Sequence, residues 1–198
     1  MAVRDTGAEQ GIKDAAKRMF FSEGKLHATT QDIADNAGVN RTLLNYYFRT
    51  REVLFDTVFK EAMNEMGAKL DFVFVSELPF KEKIERLIDV FTEEIMAYPY
   101  REIFLITEIH RQDLKNLKSG PDHHRIFKPF FAEVKQAVDN KVLRASVTPL
   151  NFTMNLFSML AYPVIMGPLY KDMFALNDEQ YAQNLKNRKS EIIDMLFN

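Results

Sequence analysis

Apolar residues recur along this chain at the three- and four-residue spacing of an α-helix with one buried stripe. Ile12, Ala15, Ala16, Met19 and Phe20 fall at i, i+3, i+4, i+7 and i+8, which predicts a first amphipathic helix ending near Gly24. Ile33, Ala34 and Ala37 mark a short second helix over 31–37, with Thr30 as its N-cap. Gly38 then takes the left-handed position that ends it. Asn40 caps a third helix over 41–47, whose Leu44 and Phe48 face inward. Thr50 caps a fourth that runs to about Val75 through Leu54, Val58, Met63, Met66, Leu70 and Phe74. At about 1.5 Å per residue this helix reaches roughly 35–40 Å, long enough to join two domains.

The pattern continues to the end of the sequence. Pro79 opens a fifth helix carrying Ile84, Leu87, Ile88, Phe91, Ile95 and Met96, and Pro99 stops or kinks it. Tyr100 to Leu117 resume the helical spacing, and Lys118 to Asp122 read as a loop. A helix over 123–139 has Pro129 either in its first turn or at a kink, with Asn140 as a left-handed cap. Thr148-Pro149 pair an N-cap with a first-turn proline, and Asn177-x-x-Gln180 resembles a capping box before Tyr181, Leu185, Ile192 and Leu196. The expected fold is all-α with about nine helices: a three-helix head over 1–50 and a larger helical bundle over 51–198.

Helix, glycine turn and helix over 30–47 form the helix-turn-helix pattern, whose second helix enters the major groove of DNA. The residues left facing outward suit that task. Lys25 and Thr29, Thr30 and Gln31 lie at the entry, and Asn40, Arg41, Thr42, Asn45, Tyr46 and Tyr47 lie on the second helix and its cap. Arg49, Thr50 and Arg51 follow it. Hydroxyls, amides, phenols and guanidiniums of this kind hydrogen-bond phosphate oxygens and base edges.

The run Thr29-Thr30, Ile33-Ala34, Ala37-Gly38-Val39, Leu44, Tyr47-Phe48 and Thr50-Arg51-Glu52-x-Leu54 resembles the DNA-binding signature of the tetracycline-repressor (TetR) family of bacterial regulators. The recognition helix departs from it: family members commonly carry Gly, Thr and Tyr where this chain has Thr42, Leu43 and Asn45. The family's Tyr usually touches a phosphate, whereas Asn45 is shorter and suits an adenine edge or a nearer phosphate. Arg41, Thr42 and Asn45 are the expected base readers, and Thr30, Tyr47 and Arg51 the expected phosphate contacts. The resemblance implies a ligand-responsive repressor that binds a near-palindromic operator as a homodimer.

Composition adds little against this. The net charge is −2 over 198 residues, which alone argues weakly against nucleic acid. Between Lys25 and Arg51, however, four cations stand against Asp32 and Asp35. The absence of cysteine excludes disulfides and thiolate chemistry, and residues 1–20 lack an apolar signal core; the expectation is a cytoplasmic protein. Ala145 to Tyr170 carry no charged side chain, yet Thr148, Asn151, Thr153, Asn155, Ser158 and three helix-breaking residues oppose a membrane span. Burial on both sides explains such a helix better. The resemblance puts the dimer interface on the last two long helices, at Phe152, Leu156, Met159, Leu160, Pro163, Tyr181, Leu185 and Ile192.

The body is rich in Phe and Met, the side chains of an adaptable cavity wall. A small, largely apolar effector is expected among Met66, Phe72, Phe91, Met96, Phe104, Phe127 and Phe131, with Thr107 and His110 as polar points. No cofactor and no metal are expected: His123 and His124 are adjacent and point apart on a helix. No nucleophile with a His and carboxylate partner supports an enzyme. The rival readings are a helical carrier or enzyme whose helix-turn-helix only packs, and an adaptor that uses the head without an effector.

Overall fold

The computed structural model describes residues 6–111, 123–143 and 145–197, with the side chains of 6, 108–111 and 123–127 excepted. The expected 118–122 loop therefore lies outside the described residues. Among the described residues there are ten α-helices and one π-helical turn: α1 (Thr6–Lys17), the π turn (Arg18–Ser22), α2 (Thr30–Asn36), α3 (Arg41–Phe48), α4 (Arg51–Phe74), α5 (Phe80–Ala97), α6 (Arg101–Arg111), α7 (His123–Asp139), α8 (Pro149–Ile165), α9 (Gly167–Met173) and α10 (Asp178–Phe197). The tenth helix arises because the expected 149–170 segment breaks at Met166, where α8 and α9 meet at 65°. No single helix among the described residues is long and apolar enough to cross a membrane.

Two apolar clusters organise the chain. The first gathers Ile12, Phe20, Phe21, Ile33, Leu44, Leu54 and Val58 from α1, the π turn, α2, α3 and the first half of α4. The second gathers Met66, Phe74, Leu87, Phe130, Phe152 and Ile192 from the rest of α4 with α5, α7, α8 and α10. Helix α4 spans both in 24 residues, about 36 Å. It is the rod that contributes side chains to both clusters.

The head is also fastened to α5 and α6. In the π turn the Glu23 amide donates to the Arg18 carbonyl at 3.0 Å, five residues back. This wide turn buries Phe20 and Phe21 together. The Tyr100 amide then donates to the Phe21 carbonyl at 3.0 Å, and the Ser22 hydroxyl to the Ala97 carbonyl at 2.9 Å. Gly24, at φ +66°, lies under the Tyr100 ring so closely that a Cβ would meet it at 2.6 Å. Glycine is required there on both counts.

A buried ionic group sits beside this junction. Arg101, 1% exposed, bonds Glu94 through Nη1 at 2.9 Å and Glu102 through Nε at 3.4 Å, while Lys69 of α4 reaches the other oxygen of Glu94. Burial pushes the Glu94 carboxyl up, but the bonds from Lys69 and Arg101 outweigh it and hold the group below its usual range. Glu102 goes the other way: burial raises it, and Arg101 only partly offsets the cost.

Candidate nucleic-acid interface and body cleft

The helices α2, α3 and α4 each begin at a side-chain cap. Thr29, not Thr30, is the N-cap of α2: its hydroxyl accepts from the Asp32 amide at 3.2 Å, and the Asp32 carboxylate accepts from the Thr29 amide at 2.8 Å. The residue that must leave helical geometry is the first threonine, with ψ 167°. The Thr29 backbone and hydroxyl bonds hold the Asp32 carboxyl below its ordinary range. Gly38 takes φ +68° as expected. Asn40 caps α3 by accepting from the Leu43 amide at 2.8 Å, and Thr50 caps α4 by accepting from Val53 at 3.2 Å. The side chains of Thr29, Asn40 and Thr50 are thus engaged in fixing the backbone.

The outward face of α3 carries Arg41, Thr42 and Tyr46, all exposed, with Asn45 and Tyr47 half-buried between them and the core. The Tyr46 and Tyr47 rings meet edge to face at 5.3 Å. Arg49 is exposed in the turn after α3, at φ 56°. Gln31 is exposed and donates to Asp35 at 2.7 Å, and Lys25 pairs with Glu23 at 2.7 Å.

Arg51, an expected phosphate contact, bonds within the protein. Its Nε donates to the Ala28 carbonyl at 2.7 Å, a second nitrogen donates to the Leu26 carbonyl, and the guanidinium lies 5.1 Å from the Phe20 ring centre. It ties the loop before α2 to the start of α4. Arg51→Ala should cost about 1–3 kcal/mol, because two carbonyls lose their donor, while Arg41→Ala should change stability by less than about 0.5 kcal/mol. Urea unfolding of both variants checks this; equal losses would contradict the assignment.

The expected effector residues do not share one cavity. Met66 and Phe91 are core side chains of the body, and Phe131 packs half-buried against them. Phe104 instead joins Phe20, Phe21 and Phe55 in the head cluster, 4.9 Å from the Phe55 ring. Phe72 is 75% exposed on the far side of α4. Thr107 is exposed and donates its hydroxyl to the Ile103 carbonyl. The side chains of His110 and Phe127 lie outside the described residues, as do those of His123 and His124.

The expected interface residues also divide. Phe152, Leu156, Leu160 and Ile192 face their own core and are buried. Met159, Pro163, Tyr181 and Leu185 are half-buried, with the Tyr181 hydroxyl donating to the Pro163 carbonyl at 2.6 Å. The exposed apolar stripe of α8 is Leu150, Met154 and Tyr162, and Met195 on α10 is exposed as well. A helix apolar all round gives no face in its sequence, so burial alone sorts Phe152, Leu156 and Leu160 from Leu150, Met154 and Tyr162.

A narrow cleft lies between α5, α8 and α10. Ile95, Met96, Met159, Leu160, Val164, Leu185 and Ile192 form its walls, with Thr92, Arg188 and Lys189 as its polar members. Of the expected effector residues Met96 alone lines it, beside Met159, Leu160, Leu185 and Ile192 of the expected interface. The signal that finds Arg188 is periodicity: it follows Tyr181 and Leu185 and precedes Ile192 at stripe positions of α10. Glu94 stands out likewise, three residues after Phe91 on the buried stripe of α5.

A capped helix-turn-helix presenting α3 outward from a helical body is an arrangement that DNA-binding regulators use. Residues 12–58 match the family profile of the bacterial regulatory proteins, tetR family. Over 133 residues, 67% of the chain, the sequence is 34% identical to the HTH-type transcriptional regulator YhgD of Bacillus subtilis (strain 168), covering 61% of that protein. It is 27% identical over 97 residues to the HTH-type transcriptional repressor KstR2 of Rhodococcus jostii (strain RHA1), covering 47% of this chain and 48% of the relative. The chain thus spans roughly half to six-tenths of the length of these relatives. The crystal structure of HlyIIR, a hemolysin II transcriptional regulator, shares the fold at a TM-score of 0.67 and 21% identity, with 99% of each chain covered. The chain belongs to the TetR family of bacterial transcriptional regulators.

Proposed function

We propose that the protein is a repressor that binds a near-palindromic operator as a homodimer and is released by a small, largely apolar effector. The observation that carries this reading is the outward α3 face, with Arg41, Thr42 and Tyr46 exposed and Asn45 half-buried beside them, on a backbone fixed by three side-chain caps. A dimer would set two such helices in successive major grooves, roughly 34–36 Å apart. The stripe of Leu150, Met154 and Tyr162 supports self-association through α8, since side chains of that size are 52–59% exposed there. In this reading Arg41, Thr42 and Asn45 address bases, and Thr30, Tyr47 and Arg49 address phosphates. With Arg51 turned inward and Lys25 paired, few cations remain, so salt should weaken binding less steeply than for a strongly basic head.

The effector acts by binding the DNA-incompetent state more tightly, a difference of a few kcal/mol. Selection of duplexes from a random pool by the purified protein tests the DNA half of the proposal. Enrichment of a palindrome supports it; no enrichment at low or moderate salt would move the weight to a carrier. Asn45→Ala should relax preference at one position of the half-site, whereas Tyr47→Phe should weaken all sequences alike. Neither variant changing DNA affinity while both remain folded would refute the interface.

A further inference from the structure

The cleft between α5, α8 and α10 holds a cation with no carboxylate partner among the described residues. Arg188 projects from the apolar stripe of α10, and its Nε is buried with no hydrogen-bond partner. Its one bond from the guanidinium, to the Met159 carbonyl, is long at 3.5 Å. Lys189 beside it is already neutralised by Asp89 at 2.7 Å. No carboxylate is among the residues that line the cleft, and the rest of the wall is aliphatic or thioether apart from Thr92. A buried donor on a charged group left unpaired is costly and calls for an acceptor.

We infer that this cleft takes an amphipathic organic anion: a carboxylate against Arg188 and an apolar tail along Ile95, Val164 and Leu185. The inference rests on the proposed effector-responsive regulator and names the chemistry of its effector. The cleft is narrow, with ≈ 300 Å³ of non-atom space that is partly open to solvent. Met96 and Met159 stand across it, and unbranched thioethers change rotamer readily enough to admit a chain. Because α5 and α10 are packed on the same body core as the far half of α4, opening the cleft bears on the rod that carries the head.

The test is calorimetric titration of the full chain, without DNA, with decanoate, decylammonium and 1-decanol below their aggregation limits. Decanoate should bind and raise the melting temperature; decylammonium should not. Arg188→Gln should weaken decanoate at least about tenfold, and Arg188→Lys should restore most of the loss. Met96→Trp, which fills the cleft and leaves Arg188 in place, should abolish binding in a folded protein. The chain has no tryptophan of its own, so its fluorescence reports the folding of that variant directly. No binding of decanoate by wild type, equal binding by Arg188→Gln, or undiminished binding by Met96→Trp would each overturn the inference. Duplex selection is scored separately: a protein that selects DNA but ignores decanoate refutes the cleft alone, and one that binds decanoate but selects no duplex refutes the regulator alone.

Discussion

Arg101→Ala should destabilise the protein by about 3–5 kcal/mol, the loss expected when one member of a buried ionic group is removed. Arg101 is 1% exposed and lies between Glu94 and Glu102, so alanine would strand Glu102 and leave Glu94 with Lys69 alone. Urea denaturation at neutral pH measures the loss directly; a loss under about 1 kcal/mol would mean water reaches the carboxylates and solvates them. The two acids also predict opposite pH dependences. Glu94 titrates below its ordinary 4.5 in the folded protein, so it contributes stability above that pH which disappears as pH falls through the folded value. Glu102 titrates above 4.5, so its contribution is complete at lower pH and is lost as pH rises through its raised value. Glu102→Gln fixes the neutral form. Its melting temperature relative to wild type should therefore climb between pH 4 and pH 8, and a flat difference would contradict the assignment.

Phe21→Ala should cost a comparable amount, about 3–5 kcal/mol. The side chain is fully buried, and its ring lies 5.6 Å from Phe104, 6.1 Å from Phe55 and 6.1 Å from Phe59. These rings come from the π turn, α4 and α6, so the space left by alanine cannot close by movement of one helix. Phe21→Leu should recover more than half of the loss, because most of the volume returns. If alanine costs less than about 1 kcal/mol, the rings can collapse into the space. Head and body would then be joined by α4 and the backbone bonds alone.

What was legible in the sequence is what lies within about four residues of itself. Gly38, the caps at Asn40, Thr50 and Thr148, and the reciprocal Asn177–Gln180 bonds stand where the sequence placed them. The small errors were also local. The cap moved from Thr30 to Thr29, and the left-handed residue after α7 is Lys141 at φ 61° rather than Asn140. Pro79 precedes α5 as its cap residue instead of opening it. In the first pair two adjacent residues have the same chemistry, so only tertiary packing decides between them.

Direction was less legible than location. Composition counts Phe72, Phe91 and Phe104 alike, but the structure sends one to the surface, one to the body core and one to the head. Arg51 reads as a surface cation until the carbonyls of Leu26 and Ala28, more than twenty residues earlier, are brought beside it. The buried charges had a signal that apolar counting passes over. Glu94 and Arg188 occupy stripe positions, and a charge there has either a partner inside the protein or a need for one.

The π turn also changes how the first helix can be compared with others. Its extra residue per turn shifts the angular phase between α1 and everything after Ser22. An alignment anchored on Ile12, Ala15 and Ala16 will therefore slip by one place against a relative whose helix is regular throughout. Deleting one residue between 18 and 22 would restore a regular helix and rotate Phe21 off the interface that Tyr100 and Phe104 complete. The angle between head and body is thus written partly as a count of residues, a quantity that insertions and deletions alter and point substitutions do not.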